Sequence, residues 1–335
     1  LTGSRLQLAF PDGHPGGDVL VFGAGGSDDL SPLDPARTRI VQGNFPDHRM
    51  LASRGFSVEP QVDGRFETAI VILPRAKSEA RARIAAAVER LLSGGVLWID
   101  GRKTDGVDSI LKELRSLCGV DEVHSKAHGK IFRVMLTEND RLPEDWAARP
   151  VEVAPGFVTR PGVFSADGID PGSALLARRL PERLPTRLVD LGAGWGWLAA
   201  QALAHPGVEV VHLVEADHAA LQSARDNIPD PRAQFHWADA RDFHLPDPVN
   251  GVIMNPPFHN GRDADPKLGA AFIATAAGLL TGAGKLWLVA NRHLPYETVL
   301  REHFAQVTEI GGDNRFKLFE ASGAGRGGKR QRGRR

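Results

Sequence analysis

The 335-residue chain has a single cysteine, Cys118. One thiol excludes an intramolecular disulfide and a thiolate metal cluster, which fits a reducing compartment and a cytoplasmic protein. No metal is expected. No apolar run approaches the ~20 residues that cross a bilayer, so no membrane partner is expected either. Residues 1–10 lack the basic-then-apolar layout of a secretory signal, and the chain starts with Leu1 rather than Met, which points to trimming. An excess of charge of one sign is also missing, since 41 Lys and Arg balance 41 Asp and Glu. The balance is uneven along the chain. From Gly323 onward there are Arg326, Lys329, Arg330, Arg332, Arg334 and Arg335 and no acid, so the remaining body is mildly acidic. A Gly/Arg/Lys tail over 323–335 cannot pack a core and is expected to be disordered. It either holds nucleic-acid phosphates or serves only solubility.

With 42% hydrophobic and 24% charged residues, the chain has the composition of an ordinary globular protein and the length of two domains. Strand and helix signals alternate along both halves. Residues 17–25, 38–41, 67–74, 96–99 and 130–135 read as strands in the first half, with helices over 77–92 and 109–117. Residues 187–191, 208–214, 233–237, 251–254 and 285–290 read as strands in the second. Helices there are expected over 197–205, 217–228, 267–280 and 296–304, the 217–228 helix capped by Asp217. A hairpin of 307–310 and 316–319 is expected to close around Gly311-Gly312. Alternation of this kind implies α/β domains with mostly parallel sheets.

The halves echo each other. Val21-Phe22-Gly23-Ala24-Gly25 matches Asp190-Leu191-Gly192-Ala193-Gly194, and Gly95-Val96-Leu97-Trp98 matches Gly284-Lys285-Leu286-Trp287. Leu73-Pro74-Arg75 takes the place of Asn255-Pro256-Pro257. The economical reading is a duplication into two tandem Rossmann-like domains. A first domain spans 1–140 and a second 186–322. Between them, residues 141–185 carry prolines at 143, 150, 155, 161, 171, 181 and 185 and read as a linker with one short helix from Pro171 to Leu180. Within it, Phe164-Ser165 and Gly168-Ile169-Asp170-Pro171-Gly172-Ser173 are too patterned for plain spacer and are expected to fold over a ligand site. The first copy has no acid before its glycine turn, so it is expected to be catalytically silent.

The chemistry concentrates in the second half. Gly192-Ala193-Gly194-Trp195-Gly196 follows a strand and lets backbone approach a ligand closely. It departs from the dinucleotide fingerprint G-x-G-x-x-G because its third glycine comes one residue early. Asp190, just before the turn, would repel a pyrophosphate and could attract the cationic amino-acid end of a sulfonium cofactor, directly or through water. Glu215 ends the second strand, where a carboxylate can accept both ribose hydroxyls. Asp239 lies past the third strand and can accept from an adenine amino group, with the Ala240 N–H free to serve a ring nitrogen. Asn255-Pro256-Pro257-Phe258 follows the buried run 251–254. Its prolines donate nothing, leaving a rigid, acceptor-rich corner with an aromatic face that suits a planar –NH2 group. Each residue has a plainer alternative: Asp190 as a helix cap, Glu215 as a solvated loop acid, Asp239 as a turn former, and the Pro-Pro corner as a strand exit. Their order on successive strand ends argues for a site.

These motifs, Val189-Asp190-Leu191-Gly192-Ala193-Gly194-Trp195-Gly196, Val214-Glu215-Ala216-Asp217, Ala238-Asp239-Ala240 and Asn255-Pro256-Pro257-Phe258, resemble those of class I S-adenosylmethionine-dependent methyltransferases. Three longer strings are narrower: Asn255-Pro256-Pro257-Phe258-His259-Asn260-Gly261, 289–296 and Arg315-Phe316-Lys317-Leu318-Phe319. Together they resemble the bacterial ribosomal RNA guanine-N2 methyltransferases. The resemblance covers nearly the whole chain except the tail. It implies a degenerate N-terminal domain, S-adenosylmethionine bound by Asp190, Gly192, Ala193, Gly194, Glu215, Ala216, Asp239 and Ala240, and ribosomal RNA or a ribosomal subunit as partner; the oligomeric state stays open, a monomer being compatible with the sequence. It also implies that Asn255 Oδ1 and the Pro256 carbonyl accept the N–H bonds of guanine N2 while Phe258 stacks on the base. Whether Glu215 or Asp217 holds the ribose stays open, with Glu215 favoured because it directly ends the apolar run. The Asn-Pro-Pro-aromatic corner also serves enzymes acting on adenine N6 or glutamine N5. A nicotinamide-dependent oxidoreductase and a non-enzymatic RNA-binding scaffold are the readings from other classes.

Overall fold

The computed structural model describes residues 3–137, 140–257, 259–260, 263–264 and 266–325. They fall into two compact units, Leu1–Pro150 with Arg160–Gly162, and Val151–Thr159 with Val163–Arg335.

The first unit contains α1 (Gly3–Ala9), β1 (Val19–Phe22), β2 (Thr38–Val41), α2 (Phe45–Ser53), β3 (Ser57–Glu59), β4 (Phe66–Ile72), α3 (Lys77–Glu89), β5 (Leu91–Arg102), α4 (Val107–Leu117), β6 (Gly119–Lys126) and β7 (Gly129–Met135). Its seven strands are ordered β3-β2-β1-β4-β5-β7-β6. The strands from β3 to β5 are parallel, and β7 runs antiparallel to both of its neighbours. Central β1 and β4 are apolar nearly throughout because helices cover both faces of a parallel sheet; Leu20, Val21, Ile70 and Val71 are fully buried. In α4, Val107, Ile110, Leu111 and Leu114 recur at helical spacing and all point into the core. The sequence pattern does not mark α2, β3 or β6, for a physical reason. Only Leu51 of α2 is buried, and no residue of β6 is, so neither shows an apolar stripe.

The second unit contains β8 (Val151–Ala154), β9 (Phe157–Thr159), α5 (Pro171–Ala177), β10 (Arg187–Leu191), α6 (Trp197–Leu203), β11 (Val210–Glu215), α7 (His218–Asn227), β12 (Ala233–Trp237), β13 (Val249–Met254), the short pair β14 (His259–Asn260) and β15 (Asp263–Ala264), α8 (Pro266–Leu279), β16 (Leu280–Asn291), α9 (Tyr296–His303), β17 (Phe304–Gly312) and β18 (Phe316–Ala324). Its main sheet is ordered β12-β11-β10-β13-β16-β18-β17, strand for strand the order of the first unit. The segment 141–185 is not featureless. From Val151 most of it belongs to the second unit, and Asn227 of α7 ties β9 down by accepting from the Val158 N–H at 2.7 Å and donating to the Val158 carbonyl at 2.9 Å. In the final hairpin, Gly311 and Gly312 lie inside β17 rather than at the turn. The chain reverses at 313–315, where Asp313 Oδ1 accepts from the Arg315 and Phe316 N–H groups, each at 2.8 Å. A short carboxylate that caps its own turn needs no glycine there.

Strand register aligns the two copies residue by residue. Val21 pairs with Ile40 and Ile70, and Ile70 with Trp98. Asp190 pairs with Leu213 and Ile253, and Ile253 with Trp287. Val21 therefore stands where Asp190 stands, and Gln42 where Glu215 stands. The register also corrects one match made on the prolines: Ile72-Leu73-Pro74, not Leu73-Pro74-Arg75, occupies the place of Asn255-Pro256-Pro257. In the first copy all three polar positions are neutral, and two are apolar. An arginine also lies on its glycine turn. Arg83 donates to the Ile72 carbonyl at 3.1 Å, and a Cβ on Gly23 would collide with its guanidinium.

The first unit has its own buried ion pair. Arg5 of α1 donates from Nε and Nη2 to both oxygens of Asp100, at 2.5 and 3.0 Å, and both side chains are buried. Burial pushes the Asp100 carboxyl up and the Arg5 guanidinium opposes that shift. Removing one partner strands the other charge in the core, so Asp100→Ala should lower unfolding free energy by about 3 kcal/mol. Denaturant titration of the pure variant reads this directly.

Candidate active site

The second unit gathers its polar residues at the C-terminal ends of β10, β11, β12 and β13, where open α/β sheets bind ligands. Asp190 sits one residue before the end of β10. It is fully buried, and among the described residues neither carboxylate oxygen makes a hydrogen bond of normal geometry. Burial drives its carboxyl up to about 7; the Ala199 N–H opposes the shift and the Glu215 charge adds to it. An unpaired buried acid is costly, and a cationic ligand group reaching it would relieve that cost.

The glycine turn is pinned to β11, since the Gly192 and Ala193 N–H groups both donate to the Val214 carbonyl, at 2.9 and 3.0 Å. Gly192, Gly194 and Gly196 all have positive φ. Their surroundings differ. A Cβ on Gly196 would lie 2.8 Å from Ile228 and 3.0 Å from Ala224, whereas one on Gly194 would meet nothing within 4 Å. Gly196 is thus a packing glycine, and Gly194 faces the open cleft. Glu215, half-buried at the end of β11, accepts from the Gly194 N–H at 2.7 Å and the Asp217 N–H at 2.8 Å. Its carboxyl is pushed up to about 7, chiefly by burial, with the Asp217 charge raising it and amide hydrogen bonds lowering it. Asp217 is the N-cap of α7 and accepts from the Ala219 N–H at 2.9 Å. The Ala216 carbonyl accepts from the Trp237 indole at 2.9 Å.

Asp239 follows β12 and is nearly buried. Both its oxygens are engaged by Arg241, whose Nε donates at 2.9 Å and whose Nη2 donates at 2.5 Å. The next residue, Ala240, is buried. At the end of β13, Asn255 is half-buried, Pro256 buried and Pro257 exposed. The Asn255 amide nitrogen donates to Asp170 Oδ1 at 2.7 Å and to Ser173 Oγ at 2.9 Å. Phe258 lies outside the described residues. Phe164, Ser165, Asp170 and Ser173 line one cleft with Gly192, Gly194, Trp195 and Asn255. The patterned stretch ahead of β10 does therefore fold onto the glycine turn and the Asn-Pro-Pro corner. Phe164 is 59% exposed at this cleft, an unusual setting for a large apolar ring. Sequence reading singles out this stretch but not the pairing of Asp170 and Ser173 with Asn255. An Asp-Pro-Gly-Ser string marks a helix start and says nothing about a strand end some 85 residues away.

The two remaining motifs also meet. Asn291, Arg292, His293, Asn314, Arg315 and Phe316 line a second cleft, joined by the Arg292 N–H donating to the Arg315 carbonyl at 2.8 Å.

Comparison with known proteins agrees with this geometry. Residues 155–320 match the family described as Methyltransferase small domain, and residues 15–149 match Methyltransferase small domain N-terminal. The chain is similar to the Ribosomal RNA small subunit methyltransferase C of Pseudomonas syringae, 31% identical over 318 residues, covering 91% of this chain and 94% of that protein. It is 30% identical over 272 residues to the protein of the same name from Shewanella halifaxensis, covering 77% of each. Among solved structures it resembles the T. thermophilus 16S rRNA guanine-N2 methyltransferase in complex with AdoMet and guanosine, at 26% identity and a TM-score of 0.79, covering 95% of this chain and 91% of that one.

Proposed function

Because the chain belongs to the Ribosomal RNA small subunit methyltransferase C family, we propose that it is an S-adenosylmethionine-dependent enzyme that methylates the exocyclic N2 of guanine in small-subunit ribosomal RNA. The observation that carries the site assignment is the pairing of two features at the ends of adjacent strands, β10 and β13. Asp190 offers a buried carboxylate with no countercharge bonded to it among the described residues, and Asn255 has its amide nitrogen already engaged, leaving Oδ1 to accept. The residues present fit the cofactor. Asp190 would receive its amino-acid end, Glu215 its ribose hydroxyls and Asp239 with Ala240 its adenine edge, while Gly192, Ala193, Gly194 and Ala216 supply close backbone. Asp217 is already used as a helix cap, which favours Glu215 for the ribose. Asp239 must share its oxygens with Arg241 or release it.

When bound, S-adenosylmethionine supplies an electrophilic methyl group. The chain's own part is to hold the nucleophile. Asn255 Oδ1 and the Pro256 carbonyl accept the two N–H bonds of the guanine amine, turning its lone pair away from conjugation with the ring. As the nitrogen gains positive charge, both oxygens stabilise it, and one N–H proton leaves along these bonds to water. Orientation and fixed dipoles do this without a strong base. Phe258 would stack on a base flipped out of its helix. Such a substrate is met in the cytoplasm, and no helix among the described residues is long and apolar enough to cross a membrane.

Incubation with labelled S-adenosylmethionine and ribosomal RNA, followed by nucleoside analysis, tests this reading. N2-methylguanosine is the expected product. N6-methyladenosine, or label only in protein glutamine, would reassign the substrate, and calorimetric binding of NAD in place of S-adenosylmethionine would reassign the class. The two glycines give a paired test of the cofactor cleft. Gly194→Ala should cost only about 1 kcal/mol of stability through its positive φ yet weaken S-adenosylmethionine binding at least tenfold by calorimetry. Gly196→Ala should lose more stability through its clash with α7 and less affinity.

A further inference from the structure

Proteins that grip an amine with an asparagine face an ambiguity, because the amide can present either its oxygen or its nitrogen. We infer that Asp170, assisted by Ser173, is the positioning residue that removes this ambiguity, fixing the Asn255 amide so that Oδ1 faces the cleft and making that oxygen a stronger acceptor. This rests on the role assigned to Asn255 above. A carboxylate can only accept hydrogen bonds. Asp170 Oδ1 lies 2.7 Å from Asn255 Nδ2 and Ser173 Oγ lies 2.9 Å from the same nitrogen, so the flipped amide would set its oxygen against a carboxylate oxygen.

Asp170 is itself held. The same Oδ1 accepts from the Ser173 N–H at 2.7 Å as the N-cap of α5, with Pro171 fixing the first turn. Gly172 lets the pieces close up, since a Cβ there would stand 3.1 Å from Asp170 Oδ1 and 3.1 Å from the Phe316 ring. One oxygen thus joins a helix start to a strand end 85 positions away. The bond to Asn255 is charge-assisted. Negative charge at the nitrogen end of the amide polarises it toward Oδ1, where the amine's positive charge develops during transfer. The register supports a functional reading, because the first unit carries Ile72 at this place and has no amide to orient.

The test separates this role from helix capping. Asp170→Asn keeps a good N-cap and an acceptor oxygen but removes the charge. It should lower kcat about tenfold, with KM, S-adenosylmethionine Kd and thermal midpoint close to those of the parent. The same change made on Asn255→Ala should have no further effect on kcat, because the residue acts through Asn255. Asp170→Asn with unchanged kcat would overturn the inference, as would a loss of equal size on both backgrounds; either result leaves Asp170 as a cap. Ser173→Ala should give a smaller fall in kcat of the same kind. Product identity is read in the same reactions. A nucleoside other than N2-methylguanosine would sink the substrate assignment while leaving the coupling measurable on whichever nitrogen is methylated. N2-methylguanosine with no coupling would sink only this inference.

Discussion

Asn255→Ala is expected to lower kcat for methyl transfer to ribosomal RNA by about 10²–10³-fold, the usual effect of removing one preorganised polar contact to developing charge. S-adenosylmethionine affinity should stay close to that of the parent, because the Asn255 side chain bonds to Asp170 and Ser173 and not to the glycine turn. The combination is diagnostic. A residue that only shaped the cofactor cleft would change Kd, and a residue that only packed would change stability. Asn255 is half-buried at a strand end, so truncation frees the Asp170 carboxylate to water rather than stranding it in a core. Steady-state kinetics with calorimetric titration of the same preparation checks both halves of the statement. Unchanged kcat would remove Asn255 from the chemistry.

Asp190→Val is expected to have two effects of opposite sign. It installs the residue that the first unit carries at the same register position, Val21. Cofactor affinity should fall at least about 100-fold, since the variant loses the buried charge proposed to receive the cationic end of the ligand. The cofactor-free protein should become more stable, by about 2–4 kcal/mol near neutral pH, because an unpaired buried acid is replaced by an apolar side chain. The pH dependence has a definite direction. Asp190 titrates at about 7 in the fold against about 3.9 in an unfolded chain. Its destabilising effect is therefore absent below about pH 4, grows as pH rises to about 7 and is constant beyond. Glu215, also raised to about 7, acts in the same sense. The parent's stability advantage at low pH should shrink in the variant. Ligand binding mirrors this: a cation prefers the ionised carboxylates, so S-adenosylmethionine binding should tighten as pH rises from about 5.5 to 7. Calorimetry across that range, with thermal melts of parent and variant, measures both. Affinity that falls with rising pH would contradict the assignment of these acids.

Much of this fold can be read from the sequence because parallel strands covered on both faces advertise themselves as apolar runs. Residues 38–41 and 233–237 coincide with β2 and β12, and Asp217 is the N-cap that its position implies. What escapes reading has little burial to signal it, as in α2 and β6, or depends on strand register. The match of the prolines illustrates the latter. Pro74 and Pro257 are equivalent by pairing, so Ile72 and not Leu73 replaces Asn255, and no local pattern reveals a shift of one. At the site, residue types on strand ends were legible because Asp190 and Asn255 adjoin a glycine turn and a proline corner, while Glu215 and Asp239 follow strand-like runs. The partners that tune them were not. Arg241 closing on Asp239 is local, but Asp170 reaching Asn255 joins segments whose proximity arises only from packing α5 beside the end of β13.

The product proposed for this chain is N2-methylguanosine in small-subunit ribosomal RNA. The direct measurement is mass spectrometry of small-subunit ribosomal RNA from cells with and without the gene, mapped to nucleotide position. One N2-methylguanosine should vanish when the gene is removed and return when the parent chain, but not Asn255→Ala, is supplied. An unchanged set of methylated guanines, or loss of a methylated adenine in their place, would contradict the account.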